Sequence, residues 1–145
     1  MVDGKTGTVQ YQDTIPAFQY ASAVTADIDG DGYDEVIINQ SALKRKQFEN
    51  VYYSYLLAFD FHNYNNYPLG DTLKATNLAS TPWIGDLDND GNYDIISSVV
   101  KFENAQFDLG QPLGLYVRRF STERKMKTRP RWGGFMGSDG YSKWK

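Results

Sequence analysis

The chain has 145 residues, 41% hydrophobic and 15% aromatic, which is enough apolar material for a folded core and too much for a disordered chain. It has no cysteine, so disulfides, zinc–thiolate sites and a cysteine nucleophile are excluded, and no apolar run approaches the roughly 20 residues of a membrane-spanning helix. The net charge of −3 is unevenly spread: residues 118–145 hold nine Lys/Arg against two acids, while residues 1–117 hold 6 basic and 16 acidic side chains.

No basic leader with an apolar stretch follows Met1, so no signal peptide is expected; the chain reads as cytoplasmic, already processed or cut from a longer protein. Tyr-rich, β-branched runs separated by Gly, Asn and Asp predict an all-β fold. In chain order, Asp3-Gly4-Lys5-Thr6-Gly7 reads as a turn. Thr8–Gln12 alternates as a half-buried strand does, and Val36-Ile37-Ile38 reads as a strand buried on both faces. Residues 40–50 read as a polar connector with room for one or two helical turns. Val51–Phe61 is a long aromatic strand, and 62–78 a second connector. Ile95–Val100 is a further buried strand, 101–114 a connector, and Leu115–Phe120 the counterpart of Val51–Phe61.

The chain repeats itself. Residues 21–39 (ASAVTADIDGDGYDEVIIN) align without gaps on 80–98 (STPWIGDLDNDGNYDIISS), an offset of 59 residues. Each copy has three or four expected strands and one acidic loop, and four-stranded repeats of roughly 40–60 residues are the unit of β-propellers. The expected fold is therefore two antiparallel four-stranded propeller-type blades over residues 1–117, followed by a basic, aromatic closing or docking segment over 118–145. Two units fall short of the roughly 4–8 blades of a ring, so a larger or multi-subunit propeller is expected.

The acidic loops carry the chemistry. Loop one is Asp27-Ile28-Asp29-Gly30-Asp31-Gly32-Tyr33-Asp34-Glu35, and loop two is Asp86-Leu87-Asp88-Asn89-Asp90-Gly91-Asn92-Tyr93-Asp94. Carboxylates at positions 1, 3 and 5 converge when such a loop coils, and Gly at position 6 permits the sharp turn. Position 7 (Tyr33, Asn92) offers a backbone carbonyl, and position 9 (Glu35, Asp94) a last carboxylate. An all-oxygen, anionic cage suits Ca²⁺, which takes roughly 6–8 oxygens at about 2.3–2.6 Å, better than Mg²⁺, which keeps its waters. Two calcium sites are expected. An EF-hand needs Glu at position 12 between two helices. Here position 12 is Ile38 or Ser97, within strand-like runs.

DIDGDGYDEVII and DLDNDGNYDII resemble the FG-GAP or VCBS repeats of integrin α-like calcium-binding propellers and their bacterial relatives, over roughly residues 3–120. The resemblance implies calcium held by Asp27, Asp29, Asp31, Tyr33 and Glu35, and by Asp86, Asp88, Asp90, Asn92 and Asp94. Loop one departs from it with Glu at position 9 where Asp is usual, and the Phe-Gly and Gly-Ala-Pro elements of integrin repeats are absent, which favours the broader bacterial-type group. It also implies an extracellular, cell-surface or periplasmic scaffold for adhesion or binding, with a protein or carbohydrate ligand and further blades or subunits as partners. Alternatives are the non-catalytic part of a polysaccharide-acting enzyme of the lyase type, and an accessory subunit docking through its basic tail.

Outside the loops no nucleophile–base pair, phosphate loop or carboxylate dyad stands out, so a non-enzymatic role without membrane span or nucleic-acid partner is expected. His62 reads as solvent-exposed, and Asn63-Tyr64-Asn65-Asn66-Tyr67 as a polar loop with packed tyrosines or a sugar-stacking loop. Asn39-Gln40-Ser41 is a glycosylation sequon. Arg118–Trp132 is a basic tail suited to an acidic partner, the chain's own acidic surface included. Residues 132–141 echo the entry to a third loop but lack its carboxylates.

Overall fold

A computed structural model describes residues 1–12, 17–46, 49–102, 111–127, 129–130 and 132–135. Expectations for 136–141 and for the last two lysines lie outside the described residues. Among those described there are eight strands and no helix: β1 (Ala17–Phe18), β2 (Val24–Ala26), β3 (Glu35–Lys46), β4 (Glu49–Asp60), β5 (Asn65–Pro68), β6 (Trp83–Gly85), β7 (Asn92–Phe102) and β8 (Pro112–Lys125).

They form two antiparallel sheets. In sheet one β3 pairs β4 along its length, from Val36↔Phe59 to Lys46↔Glu49, and β5 lies beyond β4. The other edge of β3 is shared by β2 at its start and β1 at its end, so the sheet is four strands wide. Sheet two has the order β6–β7–β8. The registers repeat: Val24↔Ile37 and Ala26↔Glu35 in sheet one match Trp83↔Ile96 and Gly85↔Asp94 in sheet two, residue for residue at the 59-residue offset. Ser22 and Thr81, equivalent positions, meet where the short strands approach, the Ser22 N–H donating to Thr81 Oγ1 at 3.3 Å.

Several expectations change in detail. Residues 40–46, read as connector or helix, continue β3: Ala42 and Leu43 lie opposite Tyr53 and Tyr52, and Lys44 sits over the Tyr53 ring at 5.1 Å. Pairing with an aromatic partner strand outweighs the helix preference of Ala-Leu-Lys-Arg. Residues 8–12 form only a bridge, Val2↔Val9, around the Asp3 turn. Sheet two has three strands among the described residues where four were expected, because β8 runs straight on to Lys125 where sheet one turns after Asp60. β8 runs from Pro112 to Lys125 and so spans residues 117 and 118, on either side of the expected start of the basic segment. Among the described residues the two sheets do not close into a ring.

The core lies between the sheets. Sheet one contributes Val24, Ala26, Ile37, Leu56 and Ala58, and sheet two Ile84, Tyr93 and Ile95, with Phe120, Met126 and Trp132 packed at its border. Each buried aliphatic side chain is worth about 1.5–3 kcal/mol in transfer from water. Beside this core runs a polar seam. Asn39 Nδ2 donates to Ser97 Oγ (2.9 Å) across the sheets, Ser54 Oγ–H donates to Asn39 Oδ1 (2.6 Å), and the Asn77 N–H donates to Ser41 Oγ (3.0 Å). The sequon Asn39-Gln40-Ser41 is thus inside the fold, its amide engaged and out of reach of solvent.

The sheets are stacked front to back. Residues at the Val24–Ile37–Ala58 positions of sheet one face the core, while their register equivalents in sheet two, Trp83, Ile96 and Arg119, lie on its far side with Val117 and Leu115, the last two more than 60% exposed. Conversely, sheet two turns Ile95 and Phe120 inward, the equivalents of Val36 and Phe59, which in sheet one point away from the core, Phe59 packing edge-on against Tyr11.

Candidate metal centre

Each acidic loop joins a short inner strand to a long one: loop one links β2 to β3, and loop two β6 to β7. Both are coiled by left-handed residues at positions 4 and 6, Gly30 (φ 84°) and Gly32 (φ 96°) in the first, Asn89 (φ 60°) and Gly91 (φ 81°) in the second. Glycine adopts this conformation freely and Asn tolerates it. The first carboxylate fastens the coil. Asp27 accepts from the N–H groups of Gly30 (2.7 Å) and Gly32 (3.0 Å), and Asp86 from those of Asp90 (3.1 Å) and Gly91 (3.0 Å). The position-9 acid, at the start of the following strand, reaches back to the position-2 N–H: Ile28 to Glu35 Oε2 (2.7 Å) and Leu87 to Asp94 Oδ2 (3.0 Å).

Two acidic clusters result that could hold a metal ion. Asp27, Asp29 and Glu35 each offer an oxygen within 4.8 Å of the others, and so do Asp86, Asp88 and Asp90. Two oxygens on one calcium ion stand at most about 5 Å apart, twice the Ca–O distance, so both spacings are compatible. The clusters differ in membership. In loop one Asp31 turns aside, taking the Tyr33 N–H (2.8 Å) and Asn63 Nδ2 (3.3 Å). The Tyr33 side chain is exposed and stacks on His62 with ring centroids 3.9 Å apart. In loop two Asp94 stands outside the trio, and Asn92 holds Asp90 through Nδ2 (2.8 Å).

Their electrostatics differ more. Glu35 is fully buried, and its Oε1 has no hydrogen-bond partner. Burial pushes its carboxyl up to about 7, the charges of Asp29 and Asp31 adding to the rise against the Ile28 N–H. A buried carboxylate oxygen without a donor is costly, and an oxygen-seeking cation beside Asp27 and Asp29 satisfies it. Loop one can therefore take an oxygen-seeking metal ion. Loop two already contains a cation. Arg119 on β8 donates from Nε to Asp94 Oδ1 (2.9 Å) and from Nη2 to Asp94 Oδ2 (2.8 Å), and Nη2 also contacts Asp88. These bonds hold the Asp94 carboxyl below the ordinary carboxylate range and raise the Arg119 guanidinium. The remaining orphan oxygen of loop two is Asn92 Oδ1.

The basic segment folds back on the loops. Lys127 Nζ donates to the Gly30 carbonyl (2.7 Å), Lys125 Nζ to the Asp90 carbonyl (3.2 Å), and the Met126 N–H to the Gly91 carbonyl (2.8 Å). Beside loop one this leaves a hollow of about 370 Å³ bordered by Asp27, Asp31, Asp34, Tyr93, Lys127 and Arg129. Beyond it, the carbonyls of Trp132 and Gly133 accept from the N–H groups of Thr25 (2.9 Å) and Ile84 (2.6 Å), so the segment pairs with both inner strands. From sequence, Arg119 figures only within the basic stretch 118–132 and Asn63 only within the polar loop 63–67, neither as a partner of an acidic loop, while the chain's own acidic surface is among the partners expected for the basic stretch. No protein-family model, curated protein or solved structure matches this chain.

Proposed function

We propose that this chain is a calcium-stapled β-scaffold, two propeller-type blades that serve as a binding or adhesive component outside the cell. The observation that carries the metal half is the buried, partnerless Glu35 Oε1 beside Asp27 and Asp29. In this reading calcium does no chemistry; it pins the turn between β2 and β3 and discharges a loop whose carboxylates otherwise repel. Millimolar calcium outside cells suits such a site.

The assembly half is supported by the front-to-back stacking. Two sheets packed front to front would bury both fronts, whereas here the front of sheet two remains open with Leu115, Val117 and Trp83 on it. A further sheet presenting a back like that of sheet one fits there, so more blades or subunits would continue the stack. The exposed rings of Tyr33, His62 and Tyr64 beside loop one offer a contact surface for a protein or a sugar.

The test is thermal melting with calcium and with chelator. Ligand at a hundred times its Kd adds about 2.7 kcal/mol, and at about 2–4 °C per kcal/mol for a chain of this size the melting temperature rises by about 5–10 °C. Asp29→Ala abolishes the rise. A folded wild type indifferent to calcium refutes the metal reading.

A further inference from the structure

The two loops share sequence, coil and strand register, yet only one has an unsatisfied buried carboxylate. The cause lies on the neighbouring long strand. Ile37 of β3 is opposite Ala58 of β4, and its equivalent Ile96 of β7 is opposite Arg119 of β8. At the same place beside the loop, sheet one has a buried methyl group and sheet two a guanidinium. From there Arg119 reaches both oxygens of Asp94 and one of Asp88. With the Leu87 N–H also on Asp94 Oδ2, the buried position-9 carboxylate of loop two is fully satisfied. Its counterpart Glu35 takes the Ile28 N–H on Oε2 and leaves Oε1 without a partner. Two members of the expected loop-two cage, Asp88 and Asp94, are thus committed to a side chain.

We propose that Arg119 is the resident cation of loop two, taking the role that calcium takes in loop one, so that the chain binds one calcium ion and keeps its second loop closed without metal. A guanidinium is planar, permanently charged and forked, so it bridges two carboxylates as a metal would. It differs in being covalently supplied: loop two stays closed whatever the calcium concentration, while loop one depends on it. Calcium withdrawal would loosen the β2–β3 connection and spare β6–β7. The inference about stoichiometry rests on the calcium reading of loop one; the inference about loop two does not.

Calorimetric calcium titration together with hydrogen exchange read by mass spectrometry tests it, on wild type, Glu35→Gln and Arg119→Met. Wild type is expected to take one equivalent, with calcium-dependent protection in 27–35 and none added in 86–94. Glu35→Gln is expected to take none. Arg119→Met is expected to take a second equivalent, Asn92 Oδ1 and the freed Asp88 and Asp94 becoming available, and in chelator its 86–94 amides exchange at least about tenfold faster than those of wild type. Two equivalents in wild type, with both loops gaining protection, would overturn the proposal. Should wild type take no calcium, the reading of loop one fails separately. The chelator arm then decides loop two: faster exchange in Arg119→Met supports the assignment, and unchanged exchange overturns it. If Arg119→Met does not fold, wild-type stoichiometry and loop-resolved protection still decide.

Discussion

Glu35 opens β3 with both carboxylate oxygens out of water and a donor for only one of them. Neutralising that group without changing its shape separates the cost of the bare site from its use. Glu35→Gln keeps an acceptor for the Ile28 N–H and removes the unpaired charge. In chelator the variant is expected to be more stable than wild type by about 1–3 kcal/mol, the range for relieving an unsatisfied buried group, and its calcium response is lost. Denaturant unfolding with and without calcium measures both; a variant less stable than wild type in chelator would show that the Glu35 charge is compensated in the metal-free fold. At this scale the sequence was informative. The alternation of Asp with Gly and Asn is the loop, since it supplies both the oxygens and the left-handed positions. Arg119 was not legible as a site residue, because its meeting with Asp88 and Asp94 depends on how β8 registers against β7, and one sequence carries no local mark of that register.

Among the elements, the turn after β4 distinguishes the two repeats. The Asp60 carboxylate accepts the N–H groups of His62 (2.9 Å) and Asn63 (2.9 Å) and Asn63 Nδ2 (2.7 Å), and this reverses the chain into β5. Its register equivalent on β8 is Ser121, opposite Asp94, and there the strand continues. The Asn63 N–H holds the Asp60 carboxyl below its ordinary range, with help from the Asn63 side chain and the His62 N–H. The folded pKa is depressed, so the stability this group lends is present above the ordinary carboxylate range and is lost as pH falls through the depressed value. Between about pH 5 and pH 2 wild type is expected to lose more melting temperature than Asp60→Asn, which has no proton to gain there; parallel curves would remove the turn from the account. The strands themselves were legible from β-branched and aromatic runs. Their lengths were not, since residues 40–46 have helical preference and become strand only through their partners on β4.

For the molecule as a whole, Gly70 marks a close approach to Phe120 of sheet two. A Cβ at Gly70 would lie 2.2 Å from Phe120 Cε1, and its φ of +148° suits glycine alone. Gly70→Ala is expected to cost about 1–3 kcal/mol through overpacking and to shift β8 outward, read as a lower unfolding midpoint and faster exchange along 112–120; a neutral result would show that Phe120 swings aside freely. The sequence conveyed the repeat, and through it the stacking of like sheets. It did not convey that the polar seam of Asn39, Ser54, Ser97 and Asn77 would run between them, since these residues are unremarkable until the sheets meet.

The clasp formed by Trp132 and Gly133 on the inner strands bears on how the protein is made. Thr25 and Ile84 leave the ribosome well before Trp132 and Gly133, whose carbonyls receive their N–H groups. Until then both inner strands have one bare edge. The covering of both inner strands therefore waits for one short, distant stretch of chain, which reaches the two sheets together.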